Sequence, residues 1–148
     1  MGVFSAINAS ASGLTAQRLR MDTISENIAN ANTTRTKTGG PYRRKTVVFE
    51  GSNDSFASVL NTESRSLVNG DGASGVKVAK IVEDLTPFKK IYDPTNPDAD
   101  EDGNVSSPNV DVLTEMVNMI SATRSYEANV TALNASKGMA IKALEIGK

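Results

Sequence analysis

The chain of 148 residues contains no cysteine, no histidine and no tryptophan, and only 5% of its residues are aromatic. Without cysteine it can form no disulfide, no thiolate metal site and no cysteine-based active site, and redox chemistry indicates no compartment. Without histidine it lacks the usual general base near neutral pH and the commonest metal ligand. No segment has the run of about 20 apolar residues that a membrane-spanning helix needs.

Glycine-rich signatures of phosphate binding are also missing. The glycines at 70–75 follow neither the GxGxxG nor the GxxxxGK spacing. Carboxylate or lysine chemistry stays formally possible, but no pattern in the sequence arranges it. We therefore expect no enzyme activity, no catalytic residue, no cofactor and no small-molecule substrate.

The first 17 residues carry no charged side chain, so the basic start of a secretory signal peptide is missing. A continuous apolar run is missing from the same segment. Both features argue against a signal peptide that is cleaved during export.

The net charge of −1 conceals two oppositely charged regions. Residues 1–47 carry seven basic and two acidic side chains, whereas residues 83–111 carry eight acidic and two basic ones. Such opposed patches favour protein contacts, and the segment 35–45 has five cations but a single aromatic, so we expect no nucleic-acid partner. The predicted charged contacts join Arg43, Arg44 and Lys45 to Asp98, Asp100 and Asp102. They could form within one subunit or, as we prefer, between adjacent subunits.

The acidic segment 98–103 copies the start of a calcium-binding loop, with oxygen ligands at alternate positions and glycine at the sixth. The rest of the pattern fails, because the twelfth position is Asn109, which cannot supply a bidentate carboxylate. Pro94, Pro97 and Pro108 also argue against flanking helices. We expect a solvated acidic turn and no metal site.

The last third of the chain, 112–144, predicts one long amphipathic helix. Its apolar residues follow the alternating four-three spacing of a heptad repeat, and Asp111 is a suitable N-cap. Residues 3–31 predict a second helix, in which Ile7, Leu14, Met21 and Ile28 recur every seven residues. Few charges interrupt either helix, so we expect both to need cover from several neighbours.

The middle of the chain has the features of a small β region. The best strand candidates are 42–50, 75–84 and 88–92, and 54–60 could form one or two helical turns. Residues 63–75 predict a flexible loop because they contain three glycines.

Six short segments have the character of family motifs: Ser25-Glu26-Asn27-Ile28-Ala29-Asn30-Ala31-Asn32-Thr33, Pro41-Tyr42-Arg43-Arg44-Lys45, Tyr92-Asp93-Pro94, Pro108-Asn109-Val110-Asp111, Glu115-Met116-Val117-Asn118-Met119-Ile120 and Arg124-Ser125-Tyr126-Glu127-Ala128-Asn129. These segments resemble the bacterial flagellar rod and hook proteins, and among them the proximal rod subunits of the basal body. The resemblance covers nearly the whole chain, with 51–75 as its one gap.

The resemblance implies a mainly α fold with a small β insert. Residues 1–32 and 108–148 would form a helical assembly domain whose long helices pair as in a coiled coil, and 33–107 a small β-rich outer domain. The predicted assembly interface comprises Ile7, Leu14, Met21, Ile24, Ile28, Asn30, Asn32, Met116, Met119, Ile120, Tyr126, Glu127, Asn129, Val130, Leu133 and Leu144.

The same resemblance implies a structural subunit of the flagellar rod that polymerises through its terminal helices into the shaft crossing the periplasm. Its partners would be further copies of itself, other rod proteins, the basal-body adaptor at the export gate, and the type III apparatus that exports it. The alternative is a soluble coiled-coil adaptor that forms a closed oligomer or binds a partner helix.

Overall fold

The computed structural model describes residues 3–37, 39–52 and 75–147. In chain order the elements are α1 (Val3–Ala29), β1 (Lys45–Gly51), β2 (Val76–Glu83), β3 (Lys89–Tyr92), β4 (Asn104–Ser107) and α2 (Val112–Ile146). The predicted mainly α fold with a small β insert is confirmed. The helical turn expected at 54–60 lies outside the described residues, as does the loop expected at 63–75 apart from Gly75.

The chain divides into two compact units. The first comprises Met1–Arg18, Phe49–Ala79 and Thr123–Lys148, and the second comprises Leu19–Val48 and Lys80–Ala122. Both helices contribute residues to each unit. The division into a helical domain and an outer domain stays a prediction. No helix of the described part combines the length and hydropathy required to span a bilayer.

Within the described residues the strands form two separate two-stranded sheets, β1 with β2 and β3 with β4. In the second unit, β3 and β4 are antiparallel, in a register that runs from Lys89 opposite Ser107 to Tyr92 opposite Asn104. The turn between them closes at Gly103, whose φ of 74° lies in the left-handed region that favours glycine. The sequence did not predict β4, because Val105 is its only apolar residue.

The two long helices approach each other closely at points where small or polar residues meet. In the first unit, a Cβ atom added to Gly13 would lie 3.0 Å from the side-chain nitrogen of Asn129. In the second unit, the side-chain amide of Asn27 donates a hydrogen bond of 2.8 Å to Glu115. Within each unit, the close contact between α1 and α2 therefore involves at least one polar side chain.

The buried stripe of each helix differs from its large apolar stripe. On α1 the buried positions include Gly13, Ala16, Thr23, Ile24 and Asn27, while Ile7, Leu14, Met21 and Ile28 are only half-buried. On α2 the buried positions are Glu115, Ala122 and Ser136, which lie one and two heptads apart. Small side chains let two helix backbones approach closely, and apart from Ile24 the described large apolar side chains of these helices are half-buried or exposed.

Candidate assembly surface and its polar hub

Asn27 is completely buried inside the second unit, and every hydrogen-bonding site of its side chain is used. The amide nitrogen donates to Glu115 Oε2 and to the backbone carbonyl of Lys45, both at 2.8 Å. The amide oxygen accepts from the Lys45 N–H at 2.9 Å and from the Tyr42 hydroxyl at 3.0 Å. Two donors and two acceptors are the full capacity of an asparagine side chain. Asn27 therefore fastens α1 to the segment that enters β1.

Glu115 is the matching group on α2, with an exposed fraction of 0%. Its Oε1 accepts from Arg44 Nε at 3.0 Å and from Arg44 Nη2 at 2.8 Å. Its Oε2 accepts from Asn27. A buried carboxylate is tolerated only when it is paired and hydrogen-bonded, and this geometry meets both conditions. We call Asn27, Tyr42, Arg44 and Glu115 the polar hub.

Arg44 extends the polar hub toward the β region. Its Nη1 lies 3.4 Å from Asp84 Oδ2, and its backbone N–H donates to Asn109 Oδ1 at 2.9 Å. Burial by itself would lower the pKa of Arg44, but the hydrogen bonds and charges of Glu115 and Asp84 raise it above its ordinary value. The guanidinium therefore remains charged and ties α2 to residues on both sides of the β segment.

Tyr42 connects the polar hub to a small apolar cluster. Its ring is buried in a cluster with Ala31 and Val110. Burial, together with the nearby negative charges of Glu26 and Glu115, raises the pKa of the phenol to about 12. The neutral hydroxyl is thus held as a donor to Asn27.

The start of α2 is fixed by Asp111, as predicted. Its Oδ2 accepts from the Thr114 hydroxyl at 2.6 Å, its Oδ1 accepts from the Leu113 N–H at 3.3 Å, and its carbonyl accepts from the Glu115 N–H at 2.9 Å. The hydrogen bond from Thr114 is the main cause that lowers the pKa of Asp111. These contacts satisfy N–H groups that would otherwise be unpaired at the helix end.

The opposite side of the same part of α2 is apolar and exposed. Leu113, Met116, Val117 and Ile120 have exposed fractions of 70%, 51%, 60% and 55%. Their spacing of three, one and three residues places them on one face, about 100° to 200° around the helix from Glu115. We call these four residues the outward face of α2. A continuous exposed apolar strip of this kind is typical of a protein-interaction surface.

The residues of the predicted assembly interface differ in how far they are buried. Ile24 is buried. Half-buried are Ile7, Leu14, Met21, Ile28, Asn30, Met119, Tyr126, Asn129, Val130 and Leu133, and exposed are Asn32, Glu127 and Leu144 together with Met116 and Ile120. Their part in assembly stays a prediction.

Within the chain, the three basic residues Arg43, Arg44 and Lys45 contact groups other than the acidic turn 98–102. Arg43 lies over the ring of Phe88, with 4.4 Å between its guanidinium carbon and the ring centroid. Lys45 pairs with Glu26, and Arg44 with Glu115 and Asp84. These contacts are made within the second unit, and a contact with a neighbouring subunit stays a prediction.

The acidic turn is bound by the earlier part of the basic segment. Asp98 accepts a hydrogen bond of 2.8 Å from Thr34, and Arg35 lies 3.9 Å from it. Asp100 and Asp102 are exposed. Among residues 3–37, 39–52 and 75–147, no group of three or more acidic side chains is arranged to hold a metal ion.

Sequence reasoning missed the mutual pairing of Asn27, Arg44 and Glu115. One signal was present, because Glu115 is the only charged residue between Val112 and Thr123. An isolated charge in an otherwise uncharged helical segment indicates a buried partner, since most exposed helix faces carry several charges.

Two family models match the chain at its two ends. The model described as "Flagella basal body rod protein" matches residues 7–37, and the model described as "Flagellar basal body rod FlgEFG protein C-terminal" matches residues 101–146. These matched ranges include Asn27 and Glu115, so both helical members of the polar hub lie within them.

Curated relatives extend the similarity to the full chain. The "Flagellar basal-body rod protein FlgC" of Bacillus subtilis strain 168 is 55% identical over 152 aligned positions, which cover 100% of each chain. The protein of the same name from Borreliella burgdorferi is 49% identical and covers 99% of this chain and 98% of its own. The one from Escherichia coli O6:H1 is 41% identical over 100% of both chains. The chain therefore belongs to the flagellar basal-body rod protein family.

Proposed function

We propose that this structural subunit of the flagellar basal-body rod packs against neighbouring subunits through the outward face of α2. The observation that carries the proposal is the exposure of Leu113, Met116, Val117 and Ile120 on one side of a helix whose other side is fastened by the polar hub. Because 51–70% of each residue is exposed, burying the rest of each side chain would contribute about 1–2 kcal/mol. A contact of this kind, repeated head to tail without closing into a ring, generates a helical tube.

The subunit is part of the flagellar basal body, where it assembles with other rod components. Within our proposal its contacts include further copies of itself and the adaptor at the export gate. The rod it joins crosses the periplasm, and the flagellar type III apparatus exports the chain without removing a signal peptide. Its role is mechanical and includes no catalysis. Family membership supports these points, and it favours the rod over the closed coiled-coil adaptor.

The substitution Val117→Asp tests the outward face directly. Val117 is 60% exposed, so the variant should fold as the original chain does. Burying its unpaired carboxylate between subunits would cost several kcal/mol, so we expect loss of incorporation into basal bodies and loss of swimming. The measurement is complementation of a deletion strain, with the amount of the chain in purified basal bodies determined by immunoblotting.

Leu85→Asp is the matched control, because Leu85 is 84% exposed and lies outside α2. It introduces the same charge in place of another exposed apolar side chain. We expect it to support assembly. Normal incorporation of Val117→Asp would overturn the assignment of the outward face, and loss of incorporation in both variants would show that the effect is not specific to α2.

A further inference from the structure

Hydrophobic burial alone does not fix how α2 is rotated about its own axis. Between Val112 and Ala122 the large apolar side chains share one side of α2, and that side is not centred on Glu115: Met119, Val112, Met116 and Ile120 lie about 40° to 140° around the axis from it. Each residue advances the helix by about 100°, so turning α2 by one position would bring Met116 to the direction that Glu115 occupies, and apolar burial would not oppose this rotation.

The polar hub removes this ambiguity. Glu115 accepts from Asn27 on α1 with one oxygen and from Arg44 with the other, so its partners belong to two different segments of the chain. A rotation by one position would carry the carboxylate away from both partners. It would also leave the fully buried Asn27 without one of its four hydrogen bonds. Unpaired buried polar groups are costly, so only one rotation satisfies the hub.

We infer that Glu115 is a positioning residue that sets the rotation of α2 about its axis and thereby turns Leu113, Met116, Val117 and Ile120 outward. The inference rests on the proposed function, because it explains how the assembly face comes to be presented. Buried polar groups are best attested in this role of specifying register, where an apolar replacement would leave several arrangements of similar free energy.

The absence of cysteine from the chain supplies a direct assay of helix rotation. Single substitutions Ala122→Cys and Val117→Cys place one thiol at a position that is 0% exposed and one at a position that is 60% exposed. Labelling of the full-length chain with a maleimide measures the accessibility of each. With Glu115 intact, we expect labelling at 117 to be at least about tenfold faster than at 122, because a buried thiol reacts only after local opening.

In a Glu115→Leu background we expect this ratio to fall to within about twofold, because several rotations then become populated. Glu145→Leu is the matched control: it makes the same replacement at an exposed position near the end of α2 and should leave the ratio unchanged. Circular dichroism checks that the helices persist. If Glu115→Leu loses its helical signal, the same labelling is measured with Glu115→Gln. This variant keeps the shape of the side chain and the hydrogen bond to Asn27 but loses the charge, so we expect the ratio of labelling at 117 to labelling at 122 to fall at least about threefold.

An unchanged ratio in the folded Glu115 variant, or a ratio near one in the chain with Glu115 intact, would overturn the inference. The proposed function is tested separately. Normal incorporation of Val117→Asp would contradict the assembly role of the outward face but would not affect the labelling ratio. A failed labelling result would contradict the positioning role of Glu115 but not the assembly role of the outward face.

Discussion

At the scale of single residues, the second unit depends on a few buried polar side chains that satisfy one another. Asn27 uses its full hydrogen-bonding capacity, and Glu115 receives three hydrogen bonds at 3.0 Å or less from Asn27 and Arg44. Deleting one member would leave another buried without a partner, which costs more than the deleted bond contributes. Substitutions here should therefore destabilise the unit more than substitutions at exposed charged pairs such as Lys142–Glu145.

Tyr42 makes the stability of this unit sensitive to alkaline pH. Its pKa is raised to about 12 in the folded chain, above the ordinary value of 10.0, so the folded state favours the neutral phenol. The stability from this preference is complete below about pH 10 and is lost as the pH rises through about 12. We expect Tyr42→Phe to lose less stability than the original chain between pH 9 and pH 11.5, measured by urea denaturation.

The control for this prediction is Tyr92→Phe, because Tyr92 is 72% exposed. Its removal should leave the alkaline loss of stability unchanged, because its phenol is not part of the polar hub. Equal losses of stability in the original chain and in Tyr42→Phe would contradict the account of the buried phenol.

At the scale of secondary structure, the sequence predicted the helix ends because the signals there are local. Asp111 marks the start of α2, and the heptad pattern continues to within a few residues of its end at Ile146. The predicted first helix is two residues longer than α1, which ends at Ala29. Such a difference is within the usual variation of helix ends.

The rotation of the helices could not be predicted in the same way. Large apolar residues such as Leu14 and Met116 carry the strongest heptad signal, yet the close contacts use Gly13, Asn129 and the polar hub. Periodicity detects a helix with an apolar stripe but does not reveal whether that stripe faces its own chain or another one. The partners of Arg44 are equally hidden from the sequence, because Glu115 lies 71 positions away.

The two ends of α2 should differ in stability. Residues 112–122 are fastened by Glu115 and the cap at Asp111, whereas residues 141–147 are all exposed, including Leu144 and Ile146 with exposed fractions of 76% and 85%. We expect hydrogen exchange of the free chain to show amides in the middle of 112–122 protected at least about tenfold more than those in 141–146. Uniform protection along α2 would contradict this gradient and the anchoring role of the polar hub.

At the scale of the whole molecule, the distribution of side chains suits a subunit that folds before it is fully covered. Two close contacts between α1 and α2 use small or polar residues, Gly13 with Asn129 and Asn27 with Glu115, while Leu113, Met116, Val117 and Ile120 are exposed. In our proposal the helices have two separate tasks, because the hydrogen bonds of the polar hub stabilise the fold while the exposed apolar area is used in assembly. The chain belongs to the basal-body rod family, and we propose that neighbouring subunits in the rod cover this apolar area.

The central claim is that the outward face of α2 becomes buried between subunits in the rod. It is tested most directly by maleimide labelling of Val117→Cys in the free chain and in isolated basal bodies, with Leu85→Cys as the reference position. We expect Val117→Cys to react readily in the free chain and to be protected at least about tenfold in basal bodies, while Leu85→Cys reacts in both states. Equal reactivity of Val117→Cys in the two states would contradict the account.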